Sequence, residues 1–457
     1  MSEVRHARLG GFARELRETG RGALPLYLSI MVGTMGLTLD TAMVGQFGPA
    51  ALAAIAVGLG VYSPAFTAIT GALRGMIPVL AEHREDDEAS ARTLNDGMWL
   101  AFALGCLGCA VLASASSLFG SLGVDQGIRS ESGVYATLLG LSLLPSSLGY
   151  ACTYTLVSRQ ENRWILWIGI AAMAVRSLTT LGFVFGTLGL PRLGVAGAGL
   201  GAVAGALTTL AGGLWALGRS GVRVRPHRPR TTTMLRLARL GLPVSGTVLT
   251  KFTVLAGFAL LAGRLGEAPA AAHAVALNLT NVLFAGAIAI GQSNIPRVGV
   301  HRRAGDQTAV RMAAGAGLAL TVAVSVLLDI SVWCGSADVL GFYSSDAAVR
   351  STASEILLVV LVAQVLDAVQ AGCGFFLIAC QDTVFSLGAM VAAYGLVALP
   401  LAFLLRGVWG LTGLWAALAV GNGVLVMLQG YRTVRHLRGK GTPDPQAPAE
   451  PLRVERT

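Results

Sequence analysis

The chain has 457 residues, 54% of them hydrophobic and 13% charged, with a mean hydropathy of +0.66 and a formal net charge of +10. So apolar a composition excludes one or two water-soluble domains and places the chain in a bilayer. Nucleic-acid binding is excluded as the reason for the positive charge, because the basic residues sit in short loops and tails rather than on a folded soluble face.

A spanning helix needs about 20 mostly apolar residues, and twelve such stretches are centred at about residues 34, 65, 106, 146, 175, 206, 254, 284, 320, 365, 396 and 420. The expected fold is an all-α membrane protein, with twelve transmembrane helices in two pseudo-symmetric six-helix bundles around a central cleft. Residues 1–22 carry Arg5, Arg8, Arg14, Arg17 and Arg21 and form a cytoplasmic N-terminal segment. No small-residue cleavage site closes the first span, so it reads as a retained helix rather than a signal peptide. An N-terminal lobe over 23–217, a basic linker over 218–236 and a C-terminal lobe over 237–431 follow, and 432–457, rich in proline, reads as a disordered tail.

The lobes are one segment written twice. Residues 24–84 align without gaps on 242–302, which sets Pro25 on Pro243, Gly48 on Gly266, Ile77-Pro78 on Ile295-Pro296 and His83-Arg84 on His301-Arg302. A weaker correspondence sets Cys152 and Gln160-Glu161 on Cys373 and Gln381-Asp382, and Gly194 and Gly197 on Gly410 and Gly413. Membrane proteins built from two repeats usually bind something between them, so transport is the first expectation. With six helices per lobe, both termini and the linker share one side. Arg219, Arg223, Arg225, Arg228 and Arg230 in the linker, with Arg432, Arg435, Arg438 and Lys440 after the last span, make that side the cytoplasm of a cell inner membrane.

The six cysteines lie within or at the ends of apolar helices, and Cys106 and Cys109 read as packing residues despite their CxxC spacing. No metal motif, P-loop or nucleophile constellation is visible, so neither a cofactor, an enzyme activity nor ATP-driven transport is expected. Asn95-Asp96 and the acidic run Glu85 to Glu88 lack the repeated pattern that holds magnesium and diphosphate in a prenyltransferase, and the run reads as a solvated loop.

Leu39-Asp40-Thr41-Ala42-Met43-Val44-Gly45 through Gly48-Pro49-Ala50-Ala51-Leu52-Ala53-Ala54 resembles the first-helix signature of the multidrug and toxic compound extrusion (MATE) transporters. Leu242-Pro243, Leu265-Gly266, His273-Ala274-Val275-Ala276-Leu277-Asn278 and Arg297-Val298-Gly299 resemble the family's second-half pattern. The resemblance covers about residues 20–430 and implies a secondary antiporter that exports a small molecule through a V-shaped cleft against entry of protons or sodium. It also implies cation-coupling roles for Asp40 and Asp367, and it marks departures. Lys251 stands eight residues after Pro243, where members often have a glutamate. Arg176 and Thr180 stand where many members have an Asn and an Asp.

Charges near the bilayer centre cost about 2.5–3.5 kcal/mol each on insertion scales and face an interior or a cavity with partners. Asp40, Arg176, Lys251 and Asp367 are the deep ones, an acid and a base in each lobe, and Lys251 is one of only two lysines against 32 arginines. Lysine, unlike arginine, loses its proton readily when desolvated. A Lys251–Asp367 pair, expected within salt-bridge reach, either switches with substrate or is a fixed bridge that sets helix packing. Thr67, Thr70 and Arg74 on the second span, Thr247 on the seventh, Asn278 and Asn281 on the eighth and Gln370 on the tenth are cleft candidates. His273 reads as a surface-proximal packing histidine, and Asp329 and Glu355 as residues near outer helix ends where hydration is cheap.

The resulting expectation is a monomeric antiporter exporting amphipathic organic compounds or drugs, coupled to protons with sodium as the other possibility, and in contact with membrane lipid. An alternative keeps the fold and changes the cargo to a lipid-linked saccharide or an anionic natural product, attracted by Arg74, Arg176 and Lys251.

Overall fold

The structure is a computed structural model that describes residues 2–84, 86–114, 126–187, 189–222 and 227–439. Glu85 of the acidic run, residues 223–226 of the linker and residues 440–457 of the tail lie outside the described residues. Lipid offers backbone groups no hydrogen-bonding partner, so the chain crosses it as helix. Among the described residues there is no strand.

The N-terminal lobe comprises α1 (Ser2–Gly45), α2 (Pro49–Arg74, continued by the short helix Met76–Ala81), α3 (Asp87–Ala113), α4 (Gln126–Ser158), α5 (Asn162–Phe185) and α6 (Val195–Arg219). The C-terminal lobe comprises α7 (Thr231–Gly263), α8 (Glu267–Arg303), α9 (Gln307–Cys334) and α10 (Ala347–Ala379), with the short helix Ser336–Tyr343 between the last two. Next comes α11, which starts as Thr383–Met390, passes through the π-helical stretch Val391–Ala398 and ends at residue 409. Gly410, at φ 55° and ψ −130°, breaks the helix Leu399–Leu437, and α12 runs from 411 to 437.

The repeat extends to backbone conformation. Gly194 has φ 56° and ψ −127°, nearly the values of its counterpart Gly410, in a region closed to most side chains. Gln160 and Gln381 both have φ 61°, a left-handed value uncommon for a residue with a Cβ. The residues after them make the same turn: Glu161 N donates to Leu156 O and Asp382 N to Leu377 O, each at 2.9 Å. Two unrelated turns would not share both features.

The two ends of the chain differ from the sequence reading. The charged segment 1–22 is not separate from the first span, because α1 is one helix from Ser2 onward. Residues 432–437 of the expected tail belong to α12, where Arg432 and His436 hold Asp382 at 2.6 and 2.8 Å. Burial alone raises the Asp382 carboxyl, yet the hydrogen bonds from His436 and Arg432 overcome it and hold the group below the usual carboxylate range. The acidic run is not merely solvated either. Asp86 caps α3 by accepting from Ala89 N, and Asp87 pairs with Arg159 at 2.9 Å.

The lobes meet tightly at the end of the bundle that carries the linker, called here the linker side. A Cβ on Gly241 of α7 would lie 1.7 Å from Ala72 O of α2, so the two helices touch backbone to backbone and only glycine fits. Polar contacts across the same closure join α1 to α8, where Arg297 gives Glu15 Oε2 two hydrogen bonds at 2.9 and 2.7 Å. Arg236 of α7 likewise reaches Glu82 at 3.0 Å. The linker is tied to the N-terminal lobe through Asn95, whose Nδ2 lies 2.8 Å from His227 Nδ1, and through Asp96, which accepts from Arg230 N and Nε at 3.0 and 2.9 Å.

Candidate functional site

Asp40 sits on α1 with only 1% of its surface exposed. Its Oδ2 accepts from Arg176 Nε at 2.6 Å and its Oδ1 from Thr180 Oγ1 at 3.0 Å, both partners lying one turn apart on α5. The wall behind them is made of glycine. A Cβ on Gly201 of α6 would fall 2.1 Å from Thr180 Oγ1, and one on Gly205 would fall 3.1 Å from Arg176 Cβ, so α6 yields the space these polar side chains occupy. A carboxylate with a charge-assisted partner and a second donor is compensated for its burial.

The C-terminal lobe holds a second pair of opposite construction. Lys251 Nζ of α7 lies 2.5 Å from Asp367 Oδ2 of α10, and Asp367 Oδ1 accepts from Gln370 Nε2 at 2.8 Å. The ammonium also stands 4.0 Å from the centroid of the Phe284 ring on α8, a cation–π contact. Lys251 keeps 20% of its side chain exposed, and it opens onto a cavity of about 530 Å³. That volume lies within the range of small-molecule sites, about 300–1,000 Å³.

The cavity is lined chiefly by α7, α8, α10 and α11, with Thr67 and Arg74 of α2 closing it from the other lobe. Thr247, Asn281 and Gln370 also line it. Two cleft candidates do not. Thr70 is 7% exposed, its hydroxyl bonds back to Phe66 O at 3.0 Å, and its carbonyl accepts from Tyr154 Oη of α4. Asn278 is exposed and donates to Ala274 O of its own helix at 2.9 Å, although Leu277 and Asn281 on either side of it line the cavity.

His273 and Asp329 depart from their readings as well. His273 is 2% exposed, lies with its ring tilted 5.6 Å from that of Trp415, and has no hydrogen bond at either ring nitrogen among the described residues. It is interior rather than surface-proximal. Asp329 is 5% exposed, and among the described residues neither carboxylate oxygen has a partner, so it is buried rather than placed in solvent near a helix end.

The sequence reading passed over the closure on the linker side. Arg297 Nη2 reaches Glu18 Oε2 as well as Glu15 Oε2, each at 2.7 Å, and His301 Nε2 lies 3.2 Å from Glu15 Oε1. The available signals were Arg297 directly after Pro296, one turn before the basic run His301-Arg302-Arg303, and Glu15 and Glu18 three residues apart on one helix face.

Comparisons with known proteins agree with this architecture. The family profile MatE matches residues 25–180 and 243–404, one stretch in each lobe. The chain is 29% identical over 441 residues to the probable multidrug resistance protein NorM of Burkholderia mallei, covering 92% of each chain. To the protein of the same name from Bradyrhizobium diazoefficiens it is 29% identical over 449 residues, covering 93% of this chain and 95% of the relative. Among solved structures, a mutant of the Vibrio cholerae MATE transporter VcmN superposes with a TM-score of 0.85 at 14% identity, covering 94% of this chain and 98% of that one. The eukaryotic MATE transporter AtDTX14 gives 0.84 at 18% identity over 94% and 99%. At those identities the superpositions establish the fold, and the matched profile, which spans more than half of the chain in two lobes, carries the assignment. This multi-pass membrane protein belongs to the MatE family.

Proposed function

We propose that the chain is a secondary active exporter of amphipathic organic compounds, driven by protons that enter through Asp40. The observation that carries the export reading is the cavity of about 530 Å³ within the membrane-spanning helices, walled by both lobes. The NorM relatives, named as multidrug resistance proteins, support the same kind of cargo. Nothing in the reading needs a catalytic group or a resident cofactor.

Asp40 is the proton carrier in this reading because it is the acid sealed between α1 and α5. Proton uptake breaks its ion pair with Arg176 and loosens its tie to Thr180, which frees α1 from α5 and links the proton to helix movement. In the other lobe the ammonium of Lys251 fills the place against Asp367 that a bound cation would need, which favours protons over sodium as the coupling ion. All these groups lie in one chain, and the reading takes the transporter as a monomer.

The linker side is assigned to the cytoplasm of the inner membrane, on the positive-inside rule applied to Arg219, Arg228, Arg230, Arg432, Arg435 and Arg438. A cysteine replacing exposed Arg228, in a background without native cysteines, is expected to react with an impermeant reagent only after permeabilisation. Labelling in intact cells overturns the orientation. For the transport reading, purified protein in proteoliposomes is given an imposed proton or sodium gradient and a panel of cationic, neutral and anionic amphiphiles. Export driven by the proton gradient alone is expected. Absence of gradient-driven export for every compound refutes it.

A further inference from the structure

The polar groups around the cavity specify more than its size. Two cationic side chains, Arg74 and Lys251, belong to its lining, and no carboxylate does. Asp367, the nearest acid to Lys251, lines a smaller recess that shares Lys251, Leu255, Asn281 and Phe284 with the cavity, and both its oxygens are already engaged by Lys251 and Gln370. Arg74 has no ion pair among the described residues. Its Nε is buried with no hydrogen-bond partner among the described residues, and its guanidinium carbon lies 5.7 Å from the centroid of the Phe375 ring.

An arginine stays charged when desolvated, so a half-buried guanidinium with an idle donor is incomplete until an acceptor arrives. Thr383, whose buried hydroxyl has no partner among the described residues, lines the same cavity and offers a second donor. The remainder of the wall is largely apolar and aromatic, with Phe252, Phe284 and Phe375 available to a ring or an alkyl chain. A cationic compound here would meet the guanidinium of Arg74, which no acid pairs among the described residues, while the one nearby acid, Asp367, is already held by Lys251 and Gln370. An amphipathic anion completes both sets of contacts.

Resting on the export reading above, we propose that this cavity takes amphipathic organic anions, carboxylates or sulfonates with an apolar body, and that Arg74 is the residue that recognises the acid group. Arg74 stands on α2 of the N-terminal lobe, while most of the cavity belongs to the C-terminal lobe. The anion therefore ties the two lobes together, and its arrival is sensed by both. Lys251, with two ammonium protons beyond the one given to Asp367, adds a second positive group on the opposite lobe.

The test uses two dyes that share a fluorophore and differ in charge, dansyl-aminohexanoate and dansyl-cadaverine, bound to the full chain in nanodiscs of uncharged lipid with no ion gradient. The wild-type protein is expected to bind the carboxylate at least about tenfold more tightly than the amine, the worth of one charge-assisted contact. Arg74→Gln should erase that preference by weakening the carboxylate alone, and Arg74→Lys should restore part of it. Equal or tighter binding of the amine by the wild type overturns the proposal, as does an Arg74→Gln protein that holds the carboxylate unchanged. If Arg74→Gln does not yield folded protein, the wild-type ratio decides. Export of the same dyes from proteoliposomes separates the two readings. Gradient-driven export that prefers the amine sinks the anion proposal and leaves the exporter standing. Carboxylate-selective binding without driven export of either dye does the reverse.

Discussion

The two intramembrane ion pairs differ in a way that the repeat does not predict. At the offset that sets Pro25 on Pro243, Asp40 falls on Phe258 and Lys251 falls on Gly33. At the offset that sets Cys152 on Cys373, Asp367 falls on Ser146. Duplication has therefore kept the scaffold, down to the conformations of Gly194 and Gly410, and placed charges independently in each lobe. Asp40 is sealed at 1% exposure behind α5 and the glycines of α6, whereas Lys251 faces a cavity large enough for cargo. A sealed carboxylate exchanges little besides a proton. A pair at a cavity wall is in reach of whatever the cavity holds.

The strongest test of this division removes the sealed acid. Asp40→Asn keeps the size of the side chain and an acceptor for Thr180, yet cannot take up and release a proton. Gradient-driven export in proteoliposomes is expected to fall to the background of empty vesicles, with protein yield and monodisperse elution retained. Export at the wild-type rate with the wild-type pH dependence would remove Asp40 from the coupling.

Next in size is the exposed pair. Breaking a buried ion pair from one side costs about 3–5 kcal/mol, and less where the partners keep some contact with solvent, as Lys251 and Asp367 do at 20% and 11%. Lys251→Met and Asp367→Asn should each lower the thermal unfolding midpoint. The double variant should recover at least half of the loss, since a neutral pair leaves no orphaned charge. The corresponding N-terminal double variant, Asp40→Asn with Arg176→Met, should regain stability and remain without driven export. If the C-terminal double variant is only additively worse, Lys251 and Asp367 do not act as a pair.

Much of this contrast was legible in the sequence because intramembrane charges are few and expensive, so Asp40, Arg176, Lys251 and Asp367 stood out against apolar runs. The repeat and the span count were legible for a similar reason, since lipid imposes length and hydropathy on every crossing. Whether a polar residue faced the cleft was harder to read. Thr70 and Thr67 are three apart on α2 and share a helical face, yet only Thr67 lines the cavity, since Thr70 packs against Tyr154 of α4, a partner 84 residues away. The closure on the linker side was invisible for a further reason. Glu15 and Arg297 are 282 residues apart, and each alone resembles an ordinary charge near a membrane boundary.

A smaller effect separates the second partners of the two acids. Thr180→Val deletes the hydroxyl that donates to Asp40 Oδ1 at 3.0 Å, in surroundings where Thr180 itself has no exposed surface. No solvent replaces the lost donor there. A loss of about 1–2 kcal/mol is expected for a hydrogen bond to a buried charge, read as a lower unfolding midpoint together with slower driven export. An unchanged midpoint and rate would show that Arg176 alone holds the carboxylate, and the seal around Asp40 would then rest on packing.

The smallest expected effect is at Gln370, the counterpart of Thr180 in the exposed site. Gln370→Met removes the amide that donates to Asp367 Oδ1 at 2.8 Å while nearly conserving volume. Gln370 is only 4% exposed, but it is part of the cavity wall, so water in the cavity can supply a donor to the carboxylate once the amide is gone. The expected loss is about 0.5 kcal/mol, below that of Thr180→Val, with the pairing of Lys251 and Asp367 undisturbed. The comparison is made on the two single variants in the same detergent and at the same pH, by thermal unfolding. A Gln370→Met loss as large as that of Thr180→Val means that Asp367 is sealed as tightly as Asp40. In that case the cavity does not hydrate Asp367, and the division between a proton site and a cargo site gives way to two equivalent structural bridges.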